Sequence, residues 1–313
     1  MPLQKLSLGV KTDPIEYRYS FEWLFELMAE EGVFHAQLGS FVEMYSLPDA
    51  YFLHLRALAA DFGIRISSVF TSHRELGGLF RFEHPAWEQV ARRNFERMIE
   101  IGALVGADSV GGNPGSVLRD RPESKEPGIH RYQEHMRQLL HYAHACGLPA
   151  ITAETMSCLA EPPTLPDEIK AMGAELFAYH RQHPHTTAAF GYCVDIAHGY
   201  ADREGKVVWD NAQLFEAALP YLNHVHLKNT DARFDATFGF DPDERARGIV
   251  QIERFRDLLI EQGDSLPVSE VVGYLEIGGP KTGRDYSDWR LETLLRPSLR
   301  HLKAAFVYPT HRN

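Results

Sequence analysis

Cysteine is scarce in this chain. Three occur in 313 residues, Cys146, Cys158 and Cys193, and none forms a C-x-x-C pair. That excludes a disulfide framework and a cysteine-built zinc site, and it fits a reducing compartment. Long hydrophobic runs are missing too. No apolar stretch approaches the roughly 18 residues a membrane span requires, and the opening "MPLQKLSLGV" lacks a signal-peptide core. The expected location is the cytoplasm, with no membrane partner. Positive charge is in deficit: 32 Lys and Arg stand against 43 Asp and Glu, a formal net charge of −11. Such a balance argues against a nucleic-acid partner. It does not argue against a small anionic substrate, because a pocket sets its own local potential.

The rest of the composition is that of a globular chain, 44% hydrophobic and 24% charged, with ample material for a core. Histidine is plentiful, at 16. The run "HRQHPH" (180–185) and the trio His135, His141 and His144 read as a solvated loop or face, since no carboxylate or thiolate is arranged beside them.

Short β-patterned runs alternate with amphipathic helical stretches along the whole chain. Strands are expected at 6–10, 33–39, 64–71, 107–113, 149–155, 189–197, 222–229 and 271–277. Helices are expected at 20–32, 47–63, 85–105, 129–147, 166–180, near 211–219, at 251–262 and at 287–306, the first capped by Ser20 and closed by Gly32. Eight β-then-α units with no break in composition predict one α/β domain over 1–313, a (β/α)8 TIM barrel of parallel strands. An open doubly wound sheet would carry a nucleotide loop after its first strand, and "GVKTDP" is not one. Three long loops, 72–84, 114–127 and 230–249, all follow strands and so belong to the face where barrel enzymes do their chemistry.

Four successive strands end in a metal-ligating side chain. "ITAETM" offers Glu154; "GYCVDIAHGYAD" offers Asp195 with His198 just beyond; "HVHLKN" offers His226, with His224 on the same face; "YLEIGG" offers Glu276. In a closed barrel these ends converge. Crowded carboxylates would raise one another's pKa unless a cation sat among them. Two Glu, one Asp and one imidazole suit a single divalent metal ion, Mn2+ before Co2+, Mg2+ or Zn2+.

With "AET", "D-x-x-H", "H-V-H" and "L-E-I" at these strand ends, and "RGIVQIERFRDLL" (247–259) leading into a helix, the chain resembles the sugar phosphate isomerase/epimerase family. These are xylose-isomerase-like barrels that include D-tagatose 3-epimerase and L-ribulose-5-phosphate 3-epimerase. The resemblance implies that Glu154, Asp195, His226 and Glu276 hold the metal, that Glu154 and Glu276 form the catalytic acid/base pair, and that His198 touches a substrate oxygen. The opening "LGVKTDPIEYRYSFEWLFELMAEEG", with "SSVFTSHRELGGLFR", resembles a narrower group, the tetrulose-4-phosphate racemases of erythritol catabolism. The implied partner is a small sugar or sugar phosphate, and a homo-oligomer is compatible with the sequence. Aldose–ketose isomerisation, inosose-type dehydration and a catalytically silent sugar-binding barrel stand as alternatives.

One departure concerns the sugar's far end. Members of the family often carry Asn-Arg soon after the seventh-strand histidine, whereas this chain reads "KNTDARF", with Asp231 before Arg233. Asp231 is a conceivable ligand for a second metal. "GGPKTGRDYSDW" (278–289) supplies Lys281, Thr282 and Arg284 for a phosphate. His73 and Arg74 of "TSHRELGG" are the other candidates for that task, and "GGNPGS" (111–116) is expected to line the pocket through its backbone. The glycine spacing of "GGPKTGRD" is not a P-loop, since Arg stands where Lys-Ser/Thr is needed. Cys193 reads as core.

Overall fold

The computed structural model of the chain describes residues 2–15, 18–39, 42–71, 76–80, 84–277 and 290–307. Its centre is a closed parallel barrel. The staves are β1 (Lys5–Lys11), β2 (His35–Gly39), β3 (Arg65–Thr71), β4 (Ser109–Gly112), β5 (Ala150–Glu154), β6 (Ala189–Asp195), β7 (Leu222–Leu227) and β8 (Glu270–Leu275). Each pairs with the next, and β8 closes on β1 with Gly9 opposite Tyr274. The strands are buried almost end to end, because helices cover one face and the barrel interior the other.

The outer layer is built of α1 (Phe21–Glu30), α2 (Asp49–Asp61), α3 (Pro85–Val105), α4 (Lys125–Ala145), α5 (Pro166–Gln182), α6 (Asn211–Ala218), α7 (Pro242–Arg247), α8 (Ile252–Glu261) and α9 (Leu291–Ala305). The Ser20 hydroxyl accepts from the Trp23 N–H and starts α1, as its position predicts. α4 begins four residues earlier than the periodicity suggests. Pro127 lies in its first turn, where a missing N–H costs nothing. The ring of helices closes where Arg296 and Arg300 of α9 bind Glu31, which follows α1.

Two elements were not legible beforehand. The loop after β6 folds into a two-stranded antiparallel hairpin, Tyr200–Ala201 with Val207–Trp209. The long 230–249 loop contains α7, started by a reciprocal cap between Asp241 and Glu244. Asn229 pins both ends of that loop: its Oδ1 accepts from the Thr230 and Val250 N–H groups at 2.9 and 3.0 Å. A Cβ on Gly248 would stand 2.2 Å from the Asn229 amide, so only glycine admits this clasp.

Inside, the barrel is polar. A register shift between β2 and β3 lets both Ser67 and Ser68 turn inward. Ser67 Oγ meets Tyr274 Oη at 2.8 Å, and Ser68 Oγ accepts from Gln37 Nε2 at 3.1 Å. Tyr274 crosses directly over Gly9, where a Cβ would lie 2.6 Å from its ring. Among the described residues no helix is long and apolar enough to cross a membrane.

Candidate metal centre

The C-terminal ends of β5 to β8 bring four side chains to one point. Glu154 and Asp195 are the last residues of β5 and β6, His226 is the penultimate residue of β7, and Glu276 follows β8 directly. One ligand atom from each lies within 4.8 Å of all the others. The centre of this cluster is His226 Nδ1, which stands 3.0 Å from Glu154 Oε1 and 3.1 Å from Glu276 Oε2.

The imidazole is aimed from behind. His226 Nε2 lies 2.8 Å from Gln37 Oε1, and the Gln37 amide nitrogen is committed to Ser68. An amide oxygen only accepts, so Nε2 carries a proton, and Nδ1 is the nitrogen turned to the carboxylates. Phe70 packs edge-on to the ring at 4.7 Å and fixes its plane. Glu154 is held on its other oxygen by the Asn113 amide.

Two lysines enter the cluster. Lys11, the last residue of β1, reaches Glu276 Oε1 at 2.6 Å and Asp13 Oδ2 at 3.0 Å. Lys228, just beyond β7, contacts Asp195 Oδ2 and lies 3.3 Å from Glu276 Oε2. Burial alone would raise the Glu276 carboxyl, but Lys11, Lys228 and His226 outweigh it and hold it well below its ordinary value. Asp195 is likewise lowered, against the effect of burial, by His198 and Lys228. Burial disfavours charge on His226 as well, yet Cys193 and Glu276 beside it raise its pKa well above the ordinary value.

The donor set fits one divalent cation. Four carboxylates, Asp13, Glu154, Asp195 and Glu276, face two ammonium groups among the described residues. Once His226 gives up its Nδ1 proton, as a metal ligand must, a buried surplus of two negative charges remains. Asp195 Oδ2, fully enclosed, has the Lys228 ammonium and His198 Nε2 as its neighbours. Hard oxygen and imidazole donors match Mn2+, Co2+, Mg2+ or Zn2+.

The other expected site residues are placed apart from one another. His198 is at the centre: its Nδ1 bonds the Thr155 carbonyl at 2.7 Å, and its Nε2 lies 3.3 Å from Asp195 Oδ2. His224 shares the inner face but sits a layer lower, 3% exposed, bonded to Gln37 and Asn223 and edge-on to Tyr274. Burial and the neighbouring His226 push its pKa well down. Arg233 is exposed and lines a cleft of about 460 Å3 with Ser157, Gly199, Arg203 and Phe234. Asp231 is turned to its own loop, accepting from the Arg233 and Asp235 N–H groups, and lies outside the ligand cluster. His73, Arg74, Lys281, Thr282 and Arg284 lie outside the described residues. Cys193 is fully buried, and burial pushes its thiol up to about 12.

Residues 25–303 match the family model described as the xylose isomerase-like TIM barrel. The chain belongs to this family. No curated protein matches it. Solved structures share the xylose isomerase-like fold at low identity. A candidate xylose isomerase from Rhodospirillum rubrum aligns with a TM-score of 0.78 at 18% identity, covering 96% of this chain and 99% of that one. D-psicose 3-epimerase from Clostridium cellulolyticum, solved with D-tagatose, gives 0.68 at 16% identity, with 96% and 99% covered. The 3-keto-D-glucoside 4-epimerase from E. coli gives 0.63 at 14%, with 96% and 100% covered.

Four residues that touch this cluster escaped sequence reasoning: Lys11, Gln37, Asn113 and Lys228. Gln37 carried a readable signal, a lone amide between buried Ala36 and Leu38 on a strand. Asn113 was expected to contribute through its backbone, and its side chain does the work. Lys11 and Lys228 carried no signal, since a lysine at a strand end is usually a solvated cap.

Proposed function

We propose that the chain is a divalent-metal-dependent epimerase or racemase of a short ketose. The convergence of Glu154, Asp195, His226 and Glu276 on one point carries this reading. Held by these four residues, a divalent cation would polarise the ketose carbonyl and make the neighbouring C–H acidic enough for a carboxylate to remove.

Glu154 and Glu276 meet at His226 Nδ1, and their outer oxygens diverge toward Asn113 and Lys11 respectively. The ionised glutamate takes the proton from carbon and its partner, in the carboxylic-acid form, delivers one from the opposite side, which inverts the stereocentre and exchanges the charge states of the pair. Asn113 and Lys11 keep both carboxylates oriented, which limits the reorganisation each transfer needs. His198, with Nδ1 bound to Thr155, presents Nε2 for a substrate oxygen. The D-psicose 3-epimerase, solved with a ketose, supports the substrate class. The resemblance of the N-terminal segment supports a ketose phosphate such as a tetrulose 4-phosphate.

The likeness to the candidate xylose isomerase favours a second reading, aldose–ketose isomerisation, in which the proton returns to the adjacent carbon. Turnover of free and phosphorylated ketoses with Mn2+ in D2O, followed by NMR, decides between them. Epimerisation yields a diastereomer or enantiomer with one exchanged C–H; isomerisation yields an aldose. No turnover of any ketose, with or without metal, overturns both.

A further inference from the structure

Lys228 stands where a cation shared by Asp195 and Glu276 would have to stand. Its ammonium lies against Asp195 Oδ2 and 3.3 Å from Glu276 Oε2, the oxygen that also faces His226. Lys11 is placed differently. It holds Glu276 through Oε1, on the side away from His226, and is tied in turn to Asp13. A cation at Glu276 Oε2 would stand within a few ångströms of the Lys228 ammonium and be repelled by it, whereas Lys11, on Oε1, lies farther off.

We propose that Lys228 is an internal counter-ion, which competes with the divalent metal for Asp195 and Glu276 and gives way when the metal enters. The inference rests on the reading that Glu154, Asp195, His226 and Glu276 are the metal ligands. The physical reason for such a residue is the cost of the empty site. Glu154, Asp195 and Glu276 are enclosed within a few ångströms of one another, and without a cation they repel in a poorly screened pocket. Lys228 replaces the missing charge and keeps the strand ends together until metal arrives. Its flexible four-carbon stem lets the ammonium withdraw toward the barrel mouth without moving β7. The consequence is a weaker apparent metal affinity, because each binding event must first displace the lysine.

Calorimetric titration of Mn2+ into metal-stripped protein tests this. Lys228→Met is expected to bind Mn2+ at least ten-fold more tightly than the wild type. It is also expected to melt at a lower temperature without metal, a loss that Mn2+ restores. Lys11→Met serves as the control for charge removal at a distance, and its affinity gain is expected to be clearly smaller. Equal or weaker binding by Lys228→Met, or an equal gain in Lys11→Met, overturns the proposal. If metal-free Lys228→Met does not fold, the wild type decides. Amine-reactive labelling of Lys228, read by peptide mass spectrometry, is expected to rise at least three-fold when Mn2+ is added, and no rise overturns the proposal. Failure of the wild type and both variants to bind any of Mn2+, Co2+, Mg2+ or Zn2+ overturns the metal centre itself. That result is distinct from equal binding by all three proteins, which removes only the role of Lys228.

Discussion

Gln37 Oε1 lies 2.8 Å from His226 Nε2, reaching from β2 to β7 across the barrel interior. The amide does not touch the cluster of acids, yet it decides which imidazole nitrogen faces them. Replacing it by an apolar residue of similar size frees the ring to take either tautomer. Gln37→Leu should therefore lower Mn2+ affinity by roughly 10–100-fold while the fold survives. Calorimetry on the metal-stripped variant measures this, and wild-type affinity would remove Gln37 from the account.

The two glutamates should each be indispensable for proton transfer. Glu154→Gln and Glu276→Gln keep the shape of the side chain and remove its basicity. Each should reduce kcat for inversion by roughly 10²–10⁴-fold, measured with Mn2+ in excess. Wild-type turnover in both variants would falsify the two-glutamate proposal.

Metal removal should affect stability as well as rate. A ligand that binds only the folded state adds about 2.7 kcal/mol when present at a hundred times its Kd. Chelated protein should melt at a lower temperature and be inactive, and Mn2+ should restore both. Identical melting curves with and without metal would contradict a centre built from these buried residues.

Acid should loosen the closure of the helix ring. The Glu31 carboxyl is held below its ordinary 4.5 by hydrogen bonds from Arg300, then by Arg296, against the opposing effect of burial. Since the folded value is the lower one, this stabilisation is fully present above pH 4.5 and fades as the pH falls through the folded value. Glu31→Gln should thus melt below the wild type near neutrality, with a gap that narrows only on acidification below 4.5. A gap that stays constant down to the lowest pH would show that Glu31 acts through packing alone.

The α/β order and the four side chains that cluster at the strand ends were legible because each rests on local pattern. Alternating strands feeding amphipathic helices leave few topologies open, and a carboxylate ending a buried strand is conspicuous. Where local pattern was absent, reading stopped. The Tyr200–Trp209 hairpin is too short and too exposed to show a period, with Val207 and Val208 both on the surface. His224 and His226 look equivalent in "HVHLKN", yet only His226 reaches the acids; the other sits one strand layer lower, against Tyr274.

By itself, the order of residues determined that this chain closes into a parallel barrel and that oxygen and imidazole donors end its last four staves. Those properties follow from hydrophobic period and strand direction, which act over a few residues. What only the tertiary structure decided is the company those donors keep: Gln37 behind His226, Asn113 beside Glu154, and Lys11 and Lys228 among the acids. These partners come from staves far apart in the chain. Only closure of the barrel sets the distances between them, and electrostatics in a buried site is governed by distance.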